Sequence, residues 1–324
     1  MESNPDDRFN NPITEPMAIP IYVIGSSNTD LVVKAEKLPK PGETVIGGEF
    51  LMNPGGKGAN QAVTAARLGL PVTFVARVGN DIFGKQALQQ FERENINTAF
   101  VTTDSEHPSG VALIGVDAKG ENNIIVAPGA NSKLTRQVVA EALEAIEGNA
   151  IILVQLEIPI PIVEFAIEKS YEKGFRVILN PAPVQKLDPR VFSQLYVITP
   201  NESEAEMLTG IRVVDEETAA LAATRLHQMG APNVVITIGP KGAFLRTDEI
   251  VKLVPAPPVT AVDTTAAGDC FNGALAVALA EGKNIEESVT FACKAASISV
   301  TRMGAQSSLP YRKEVNELNL ISPL

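Results

Sequence analysis

Short apolar runs alternate with helical segments along most of this chain, and this alternation restricts the possible folds more than any other pattern. Apolar runs typical of buried strands lie at residues 20–25, 72–79, 150–157, 176–180, 197–199 and 234–238. Helices are predicted at residues 56–68, 81–95, 135–147, 161–173, 202–209, 216–229, 268–281 and 286–302, and a β-hairpin at residues 242–254. Strands separated by helices pair in parallel, and the helices then cover the sheet. The sequence therefore predicts an α/β fold with a central, mostly parallel sheet.

Two regions interrupt the alternation. Residues 31–52 carry two apolar runs separated by a Pro/Gly turn, and residues 110–127 are typical of a hairpin without a helix between its strands. We expect these regions to form a small separate β-sheet that acts as a lid. Residues 1–18 are polar and lack a signal-peptide pattern, so a disordered lead is predicted there and one α/β domain over residues 19–324.

Composition excludes several classes of protein. The 27 basic residues against 38 acidic ones give a net charge of −11, which disfavours binding to nucleic acid or to an anionic membrane. No apolar run reaches the roughly 18 residues of a membrane span. Two cysteines cannot form a disulfide framework, and buried thiols in a reducing, cytoplasmic compartment are expected. With only two histidines, acid–base chemistry is expected to depend on carboxylates.

Polar side chains follow the first predicted strand in the segment Gly25-Ser-Ser-Asn28-Thr-Asp30. In an extended segment, residues two apart point to the same side. Asn28 and Asp30 therefore predict a fork that binds vicinal hydroxyls, because an amide donates and accepts while a carboxylate accepts. The alternative is an Asx-rich turn without a ligand.

A glycine-rich segment leads into the first predicted helix. It contains Gly56, Lys57, Gly58 and Asn60, and glycines there allow a ligand close to the backbone and the free amides of the helix start. It is not a Walker A loop, because Gly58 replaces the Ser or Thr that would follow the lysine. A G-x-G-x-x-G fingerprint is also missing after the first strand, which disfavours a nicotinamide-dependent oxidoreductase.

A second glycine motif opens the predicted helix at residues 268–281. The small residues Ala266, Ala267 and Gly268 leave the amides at the helix start unobstructed, which favours an anion site for a transferring phosphoryl group. Asp269 at the edge of that site is placed to accept a proton from an attacking hydroxyl. The alternative for Asp269 is an acidic helix cap.

Segments 55–60 and 263–269 resemble the two signatures of the ribokinase-like carbohydrate kinase family, and further segments at 180–183, 199–204 and 237–242 are similar to it. The resemblance covers about residues 20–315. It implies a three-layer α/β/α sandwich with a small β-sheet lid, and ATP-dependent phosphorylation of D-ribose at O5. It also implies a homodimer formed through the lid.

The resemblance also implies roles for individual residues. It implies a sugar pocket of Asn28, Asp30, Gly56, Lys57, Gly58, Asn60 and Glu157, with Asp269 as the base and the amides of Ala266, Ala267 and Gly268 as the anion hole. It implies that Asn201 and Glu204 act around the phosphates and Mg²⁺, and that Thr237, Gly239, Gly242 and Gly268 border ATP. Cys293 lies near the expected adenine position, where His or Asn would match the family. A K⁺ site is implied at Asp263, Thr265, Ser299, Arg302, Gly304 and Ser308, mostly through backbone carbonyls.

Alternatives to D-ribose remain at this point. The same chemistry on deoxyribose, a ketohexose or a nucleoside is the nearest one, and a sugar-binding regulator without catalysis is the next. The polar group of Asn28, Asp30, Lys57 and Asn60 favours a small polyhydroxy sugar, and an intact Asp269 motif disfavours the regulator.

Overall fold

The computed structural model describes residues 19–318, so the predicted lead at residues 1–18 lies outside the described part of the chain. The strands are β1 (Ile21–Ile24), β2 (Asn28–Lys34), β3 (Glu49–Gly55), β4 (Val72–Gly79), β5 (Asn97–Asp104), β6 (Gly110–Val116), β7 (Asn122–Ala127), β8 (Ile151–Gln155), β9 (Arg176–Asn180), β10 (Val197–Ile198), β11 (Val234–Thr237), β12 (Gly242–Arg246) and β13 (Val251–Pro255). The α-helices are α1 (Lys57–Arg67), α2 (Ile82–Arg93), α3 (Arg136–Glu144), α4 (Ile160–Glu172), α5 (Glu202–Thr209), α6 (Glu216–Gln228), α7 (Ala267–Ala280), α8 (Ile285–Ser299) and α9 (Arg312–Glu317).

Nine strands form the central sheet in the order β13-β12-β11-β10-β9-β8-β1-β4-β5. Seven neighbouring strands of this sheet pair in parallel, namely β5, β4, β1, β8, β9, β10 and β11. Strands β12 and β13 add an antiparallel hairpin at one edge. The predicted α/β fold with a mostly parallel sheet is therefore confirmed.

Both faces of the sheet are buried, which explains why its central strands have continuous apolar sequences. Along β1, Ile21 and Val23 belong to the apolar core that includes α1, α7 and α8, while Tyr22 and Ile24 belong to the core that includes α3, α4 and α6. This alternation places one apolar core on each side of the sheet. The result is the three-layer sandwich that the family resemblance implies.

Strand β5 is the element for which no strand is predicted from the sequence. It pairs with β4 alone at the edge of the sheet, and its residues are mostly half-buried or exposed. The sequence NTAFVTTD follows α2 after a short turn, and its apolar run is only three residues long, at 99–101. An edge strand needs less apolar surface than a central one, so the apolar pattern that identifies β1 and β8 is weak here.

Helix α8 ends earlier than predicted. The sequence predicts a helix over residues 286–302, but α8 ends at Ser299. The Val300 carbonyl instead accepts hydrogen bonds from the N–H groups of Val262 (2.7 Å) and Asp263 (3.2 Å). The chain thus leaves the helix where a neighbouring loop uses its carbonyl, and Gly304 then continues in a left-handed conformation with φ of 90°.

The small second sheet has the order β3-β2-β6-β7, and its strands lie in the two regions that interrupt the alternation. Register pairs Leu31 with Met52 and Leu113, so these apolar residues share the sheet face that points away from Asp30. Met52 is 46% exposed and Leu113 is 50% exposed. Within residues 19–318, no helix is long and apolar enough to cross a membrane.

Candidate active site

The site begins where the end of β1 meets the start of α1. The backbone carbonyl of Ser26 accepts a hydrogen bond from the Ala59 N–H (2.9 Å). A Cβ on Gly58 would lie only 2.6 Å from the backbone nitrogen of Ser26. Gly56, with φ of 91°, caps α1 in a conformation that L side chains rarely adopt. Gly58 therefore serves close packing of backbone on backbone, and this packing carries Lys57 and Asn60 to the end of β1.

Glu157 ties these segments to the end of β8. Its Oε2 accepts hydrogen bonds from Ser26 Oγ (2.5 Å) and from the Lys57 N–H (3.0 Å). Because β1 and β8 are parallel neighbours, their carboxyl ends lie at the same edge of the sheet, where α/β proteins bind ligands. The geometry brings Glu157 together with the glycine-rich segment, although they are 100 residues apart in the chain.

Acidic side chains cluster around Lys57. Burial, with the nearby charges of Glu157 and Asp269, raises the pKa of Asp30 from 3.8 to about 6. Burial alone would lower the pKa of Lys57, but the charges of Asp269, Glu157 and Glu204 outweigh it and the pKa is raised. Burial also raises the pKa of Glu204, against the opposing effect of a backbone hydrogen bond and of Lys57. The cluster is thus a negatively charged site with one cation inside it.

Asp269 lies in the first turn of α7 and is 6% exposed. Its Oδ2 accepts a hydrogen bond from Asn60 Nδ2 (2.9 Å), and its Oδ1 accepts one from Gln61 Nε2 (2.9 Å). The two glycine motifs of the sequence therefore meet at this carboxylate. Gln61 was missed by the sequence analysis because a glutamine on the buried face of a helix has no motif of its own.

The start of α7 is open, but its three small residues are not equivalent. Ala266 caps the helix with φ of 60°, a left-handed conformation that is uncommon for alanine and costs backbone strain. The Ala267 N–H donates to the Thr264 carbonyl (3.2 Å), so this amide already has an acceptor. A Cβ built on Gly268 would meet no atom within 4 Å, so the approach to the helix start is unobstructed there.

Asn28 is buried and has a partner that the sequence analysis missed. Its Oδ1 accepts a hydrogen bond from Asn131 Nδ2 (2.7 Å), and Asn131 Oδ1 accepts one from the Ser27 N–H (2.9 Å). The bond from Asn131 fixes the orientation of the Asn28 amide. Its Nδ2 takes no part in that bond and lies on the same side of β2 as Asp30. The only sequence signal for Asn131 is its place directly after the lid hairpin.

The segments expected around the nucleotide are joined to each other at the ends of β10 and β11. Asn201 and Glu204 form a reciprocal capping box on α5, with bonds of 2.8 and 2.9 Å, and Thr237 forms a β-bridge with Asn201. Gly239 and Gly242 have positive φ values of 43° and 111° in the turn that follows. This turn lies next to the capping box at the carboxyl edge of the sheet.

Cys293 lies inside α8, 3% exposed among apolar residues, and burial raises the pKa of its thiol to about 12. Helix α8 packs against β12 and β13, beside the turn with Gly239 and Gly242. The thiol therefore contributes apolar contact there, since a buried Cys behaves as a small hydrophobe.

The segments expected to bind a cation are brought together by Asp263. Its Oδ1 accepts hydrogen bonds from the Thr265 N–H (2.9 Å) and Oγ1 (2.6 Å), and its Oδ2 accepts one from the Gly304 N–H (2.8 Å). These bonds lower the pKa of Asp263 despite the opposing effect of burial. Ser299 and Ser308 donate their hydroxyl protons to the carbonyls of residues 296 and 305, and the lone pairs of these hydroxyl oxygens stay available to an ion, as do the backbone oxygens.

The guanidinium of Arg302 points away from this loop and donates a hydrogen bond to Glu314. The backbone carbonyl of Arg302 is therefore the group that could bind a cation. The donor set fits an alkali cation, which binds hard oxygen ligands, because it consists mostly of backbone carbonyls, together with hydroxyl oxygens and one carboxylate. Among residues 19–318 there is no cluster of three His, Cys, Asp or Glu side chains suited to a metal.

A cavity of about 310 Å³ lies between β2, β3 and α2. Its lining includes Asn28, Thr29, Met52, Phe83 and Gln306. It does not include Asp30, Lys57, Glu157 or Asp269, so the cavity adjoins the acidic cluster at Asn28 without being lined by its charged side chains.

A buried carboxylate beside an open helix N-terminus, at the carboxyl edge of a parallel sheet, is the arrangement that a small-molecule phosphotransferase requires. Residues 19–312 match the model of the pfkB family of carbohydrate kinases, and the chain belongs to this family. The family resemblance seen in the sequence is therefore confirmed.

Named relatives cover almost the whole chain. A ribokinase of Haemophilus influenzae is 44% identical over 92% of this chain and 97% of its own length. A deoxyribokinase of Salmonella typhimurium is 39% identical over 92% of this chain and 97% of its own length. The solved structure of an Arabidopsis thaliana ribokinase complexed with ribose and ATP is 34% identical, with a TM-score of 0.85, and covers 94% of this chain and 100% of the other.

Proposed function

We propose that this protein is a ribokinase that transfers the γ-phosphoryl group of ATP to O5 of D-ribose. The observation that carries the proposal is Asp269, buried at the open start of α7 and hydrogen-bonded to Asn60 of the other glycine motif. Ribokinases at up to 44% identity over most of the chain, and the related structure with ribose and ATP, support the choice of substrates.

In this reaction Asp269 accepts the proton of the ribose O5 hydroxyl while O5 forms its bond to the γ-phosphorus. The bond from the γ-phosphorus to the bridging oxygen breaks, and ADP leaves with that electron pair. The transition state of phosphoryl transfer is loose, so the protein mainly aligns the reactants and stabilises charge. The positive end of α7, with the amides at Ala266 and Gly268, stabilises the transferring group. Ala267 contributes to it only if its N–H exchanges the Thr264 carbonyl for the phosphoryl oxygen.

The sugar pocket is proposed to lie on the face of β2 that carries Asn28 and Asp30. Asn28 binds ring hydroxyls with the amide that Asn131 holds in place, and Asp30 accepts hydrogen bonds from them. Two further acceptors support this assignment. Asn60 Oδ1 is buried without a protein partner, and the bonds from Ser26 and Lys57 both use Oε2 of Glu157, leaving its Oε1.

The remaining pocket residues act through position and charge. Gly56 and Gly58 let the start of α1 pack directly on the backbone of residues 25–28, since a Cβ on either glycine would clash there, and this packing holds the start of α1 beside the proposed sugar pocket. Lys57 offsets the negative charge of the surrounding carboxylates and donates to the sugar or to the phosphoryl group.

The nucleotide is proposed to lie along the turn at Thr237, Gly239 and Gly242, with its phosphates directed to Gly268. Asn201 and Glu204 face the phosphates from the start of α5 and act through Mg²⁺, which neutralises phosphate charge when bound. The capping box fits this role because it leaves one oxygen of Glu204 free of the cap. Cys293 supplies apolar contact behind the turn and no polar contact to the base.

K⁺ is proposed as an activator bound between the loop of Asp263 and Thr265 and the segment with Ser299, Arg302, Gly304 and Ser308. The hydrogen bond from the Gly304 N–H to Asp263 supports this assignment, because it already brings the two segments together. Residues that bind the ion would set the conformation of the loop before Ala266, and hence the direction of the amides at the start of α7.

A homodimer is proposed to form through the small sheet. Val33, Phe50, Met52 and Leu113 share one face of this sheet and are 44%, 61%, 46% and 50% exposed, which is unusual for large apolar side chains in one patch. A second copy of the same sheet would cover them. The cytoplasm is the proposed compartment, because Cys270 and Cys293 are buried free thiols of the kind that a reducing environment maintains.

Deoxyribose is the second candidate substrate, because a deoxyribokinase is 39% identical over 92% of this chain. The two sugars differ by the hydroxyl at C2, so the choice depends on whether a pocket acceptor requires that group. A site that hydrogen-bonds a substrate hydroxyl rejects the analogue that lacks it, because a buried polar group is then left unpaired.

The test is a panel of acceptors with MgATP. ADP release is measured with D-ribose, 2-deoxy-D-ribose, D-fructose, adenosine and uridine, each against a control without sugar, and the product is identified as the 5-phosphate by NMR. We expect the highest kcat/KM for D-ribose. A higher value for deoxyribose would assign the second candidate, and activity restricted to nucleosides would refute both.

A further inference from the structure

Asp269 is one end of a buried chain of side-chain amides that the motifs do not include. Gln61 Nε2 donates to Asp269 Oδ1 (2.9 Å) and to Asn180 Oδ1 (3.0 Å), and Gln61 Oε1 accepts from Gln155 Nε2 (2.6 Å). Gln61 and Gln155 are fully buried, and Asn180 is 5% exposed. The chain thus connects α7, α1, β9 and β8 at the carboxyl edge of the sheet.

The carboxylate determines the direction of this chain. An ionised carboxylate only accepts hydrogen bonds, so Gln61 has to present its NH₂ group to Asp269. Its carbonyl oxygen then faces Gln155, which has to present its own NH₂ group in turn. As a consequence Gln155 Oε1 is buried without a protein partner. Leaving a buried acceptor unpaired is costly, so this orientation is retained because it keeps a donor on Asp269.

Packing leaves Gln155 little freedom to adopt another orientation. A Cβ on Gly25 would lie 2.1 Å from Gln155 Oε1, so the side chain fills space that only a glycine at this position leaves open. The backbone at Gly25, directly after β1, therefore restricts the side chain of Gln155. Because Gln155 is hydrogen-bonded to Gln61, it also restricts the position of Gln61.

We propose that Gln61 is a positioning residue of the phosphoryl transfer, and that Gln155 acts through Gln61 to hold the Asp269 carboxylate toward the acceptor hydroxyl. This inference rests on the proposed function, in which Asp269 is the base. A base that is itself oriented by a third group is a general arrangement in acid–base catalysis, and a small misplacement of a reacting group costs about 10²-fold in rate. Asn60 holds Oδ2, so loss of Gln61 leaves the carboxylate attached by one side only.

The experiment is a double-mutant cycle with Gln61→Met and Gln155→Met, which keep the side-chain volume and remove the amide. Thr64→Val on the same helix is the matched control, because Thr64 is equally buried and hydrogen-bonds the Asn60 carbonyl without touching Asp269. Steady-state kcat and KM are measured with the sugar that the acceptor panel identifies, together with thermal unfolding and sugar affinity by calorimetry.

We expect Gln61→Met to lower kcat by about 10–100-fold, with the sugar KM and Kd changed by less than about threefold. Gln155→Met should lower kcat by a smaller factor, and the double variant should equal Gln61→Met within about twofold, because both changes break one chain. Gln61→Asn keeps an amide that is too short to reach Asp269 and should reproduce the loss if Gln61→Met does not fold. Thr64→Val should keep kcat within about twofold of the wild type.

Equal kcat in the wild type and the Gln61 variants would overturn the inference, as would losses that multiply in the double variant or that fall on sugar affinity alone. A wild-type protein that phosphorylates none of the acceptors would overturn the proposed function and this inference together. An active wild type with unchanged Gln61 variants would overturn only the inference.

Discussion

Replacing Asp30 by asparagine is expected to stabilise the protein while it weakens sugar binding. Burial and the charges of Glu157 and Asp269 raise the pKa of Asp30 from 3.8 to about 6 in the folded protein. The folded state therefore holds a proton at Asp30 up to about pH 6, whereas the unfolded chain loses it near its ordinary value. Between these values the folded state binds more protons, so stability falls as pH rises through this window.

The magnitude follows from the size of the shift. Each pKa unit corresponds to about 1.4 kcal/mol, so a rise of about two units destabilises the folded state by about 3 kcal/mol at pH 8. The half-buried carboxyl keeps part of its hydration, which reduces the expected gain of Asp30→Asn to about 1–3 kcal/mol. At pH 5 the folded carboxyl is mostly protonated, and the gain should be about half as large.

The assay is equilibrium unfolding in urea at pH 5 and pH 8, without sugar or nucleotide, for the wild type and Asp30→Asn. In parallel, kcat/KM for the sugar should fall by about 10-fold or more, since bound hydroxyls lose a charged acceptor worth about 1.5–3 kcal/mol. A variant less stable than the wild type at pH 8, or a stability gain that is larger at pH 5 than at pH 8, would refute the electrostatic reasoning. An unchanged kcat/KM would remove Asp30 from the sugar pocket.

Three further predictions concern the proposed base, the proposed cation and the proposed dimer. Asp269→Asn should lower kcat by about 10²–10⁴-fold with sugar affinity retained, and more than a third of wild-type kcat would exclude Asp269 as the base. K⁺ should raise kcat several-fold over Na⁺ at equal ionic strength, and Asp263→Ala should abolish the difference; equal rates in both salts and in a bulky organic cation would contradict this. Phe50→Glu should shift the dimer to a monomer in light scattering, whereas Ile46→Glu, exposed but outside the small sheet, should not; a dimer that survives Phe50→Glu excludes this face.

The sequence predicts the parts of the fold that depend on local pattern. The central strands bury both faces, so β1 and β8 are evident as apolar runs, and the glycine motifs mark backbone contacts that side chains would prevent. Strand β5 escapes prediction because an edge strand depends on a neighbour, β4, more than on its own composition. The end of α8 escapes it because the Val300 carbonyl is taken by a loop 38 residues earlier in the chain.

The site residues also divide into those that a local sequence pattern predicts and those that only the folded structure brings together. Asn28, Asp30 and Asp269 can be chosen from the sequence, because each lies beside a strand end or a helix start that the pattern locates. Their partners Asn131 and Gln61 cannot, because they are 103 and 208 residues away from the side chains that they hold. Such partners become evident only when the sheet has brought distant segments to one edge.

The charges around the site explain why amides hold the carboxylate of Asp269, the proposed base. Asp30, Glu157 and Asp269 repel one another, and the phosphates of a nucleotide would add to the repulsion. Lys57, magnesium and the positive end of α7 can offset that charge, whereas a guanidinium paired directly with Asp269 would favour the ionised carboxylate and oppose proton uptake. Neutral amides fix the position of the carboxylate without adding a cation to it. In the proposed mechanism the network that Gln61 completes separates two requirements: cations act on the phosphoryl group, while uncharged donors orient the Asp269 carboxylate toward the sugar.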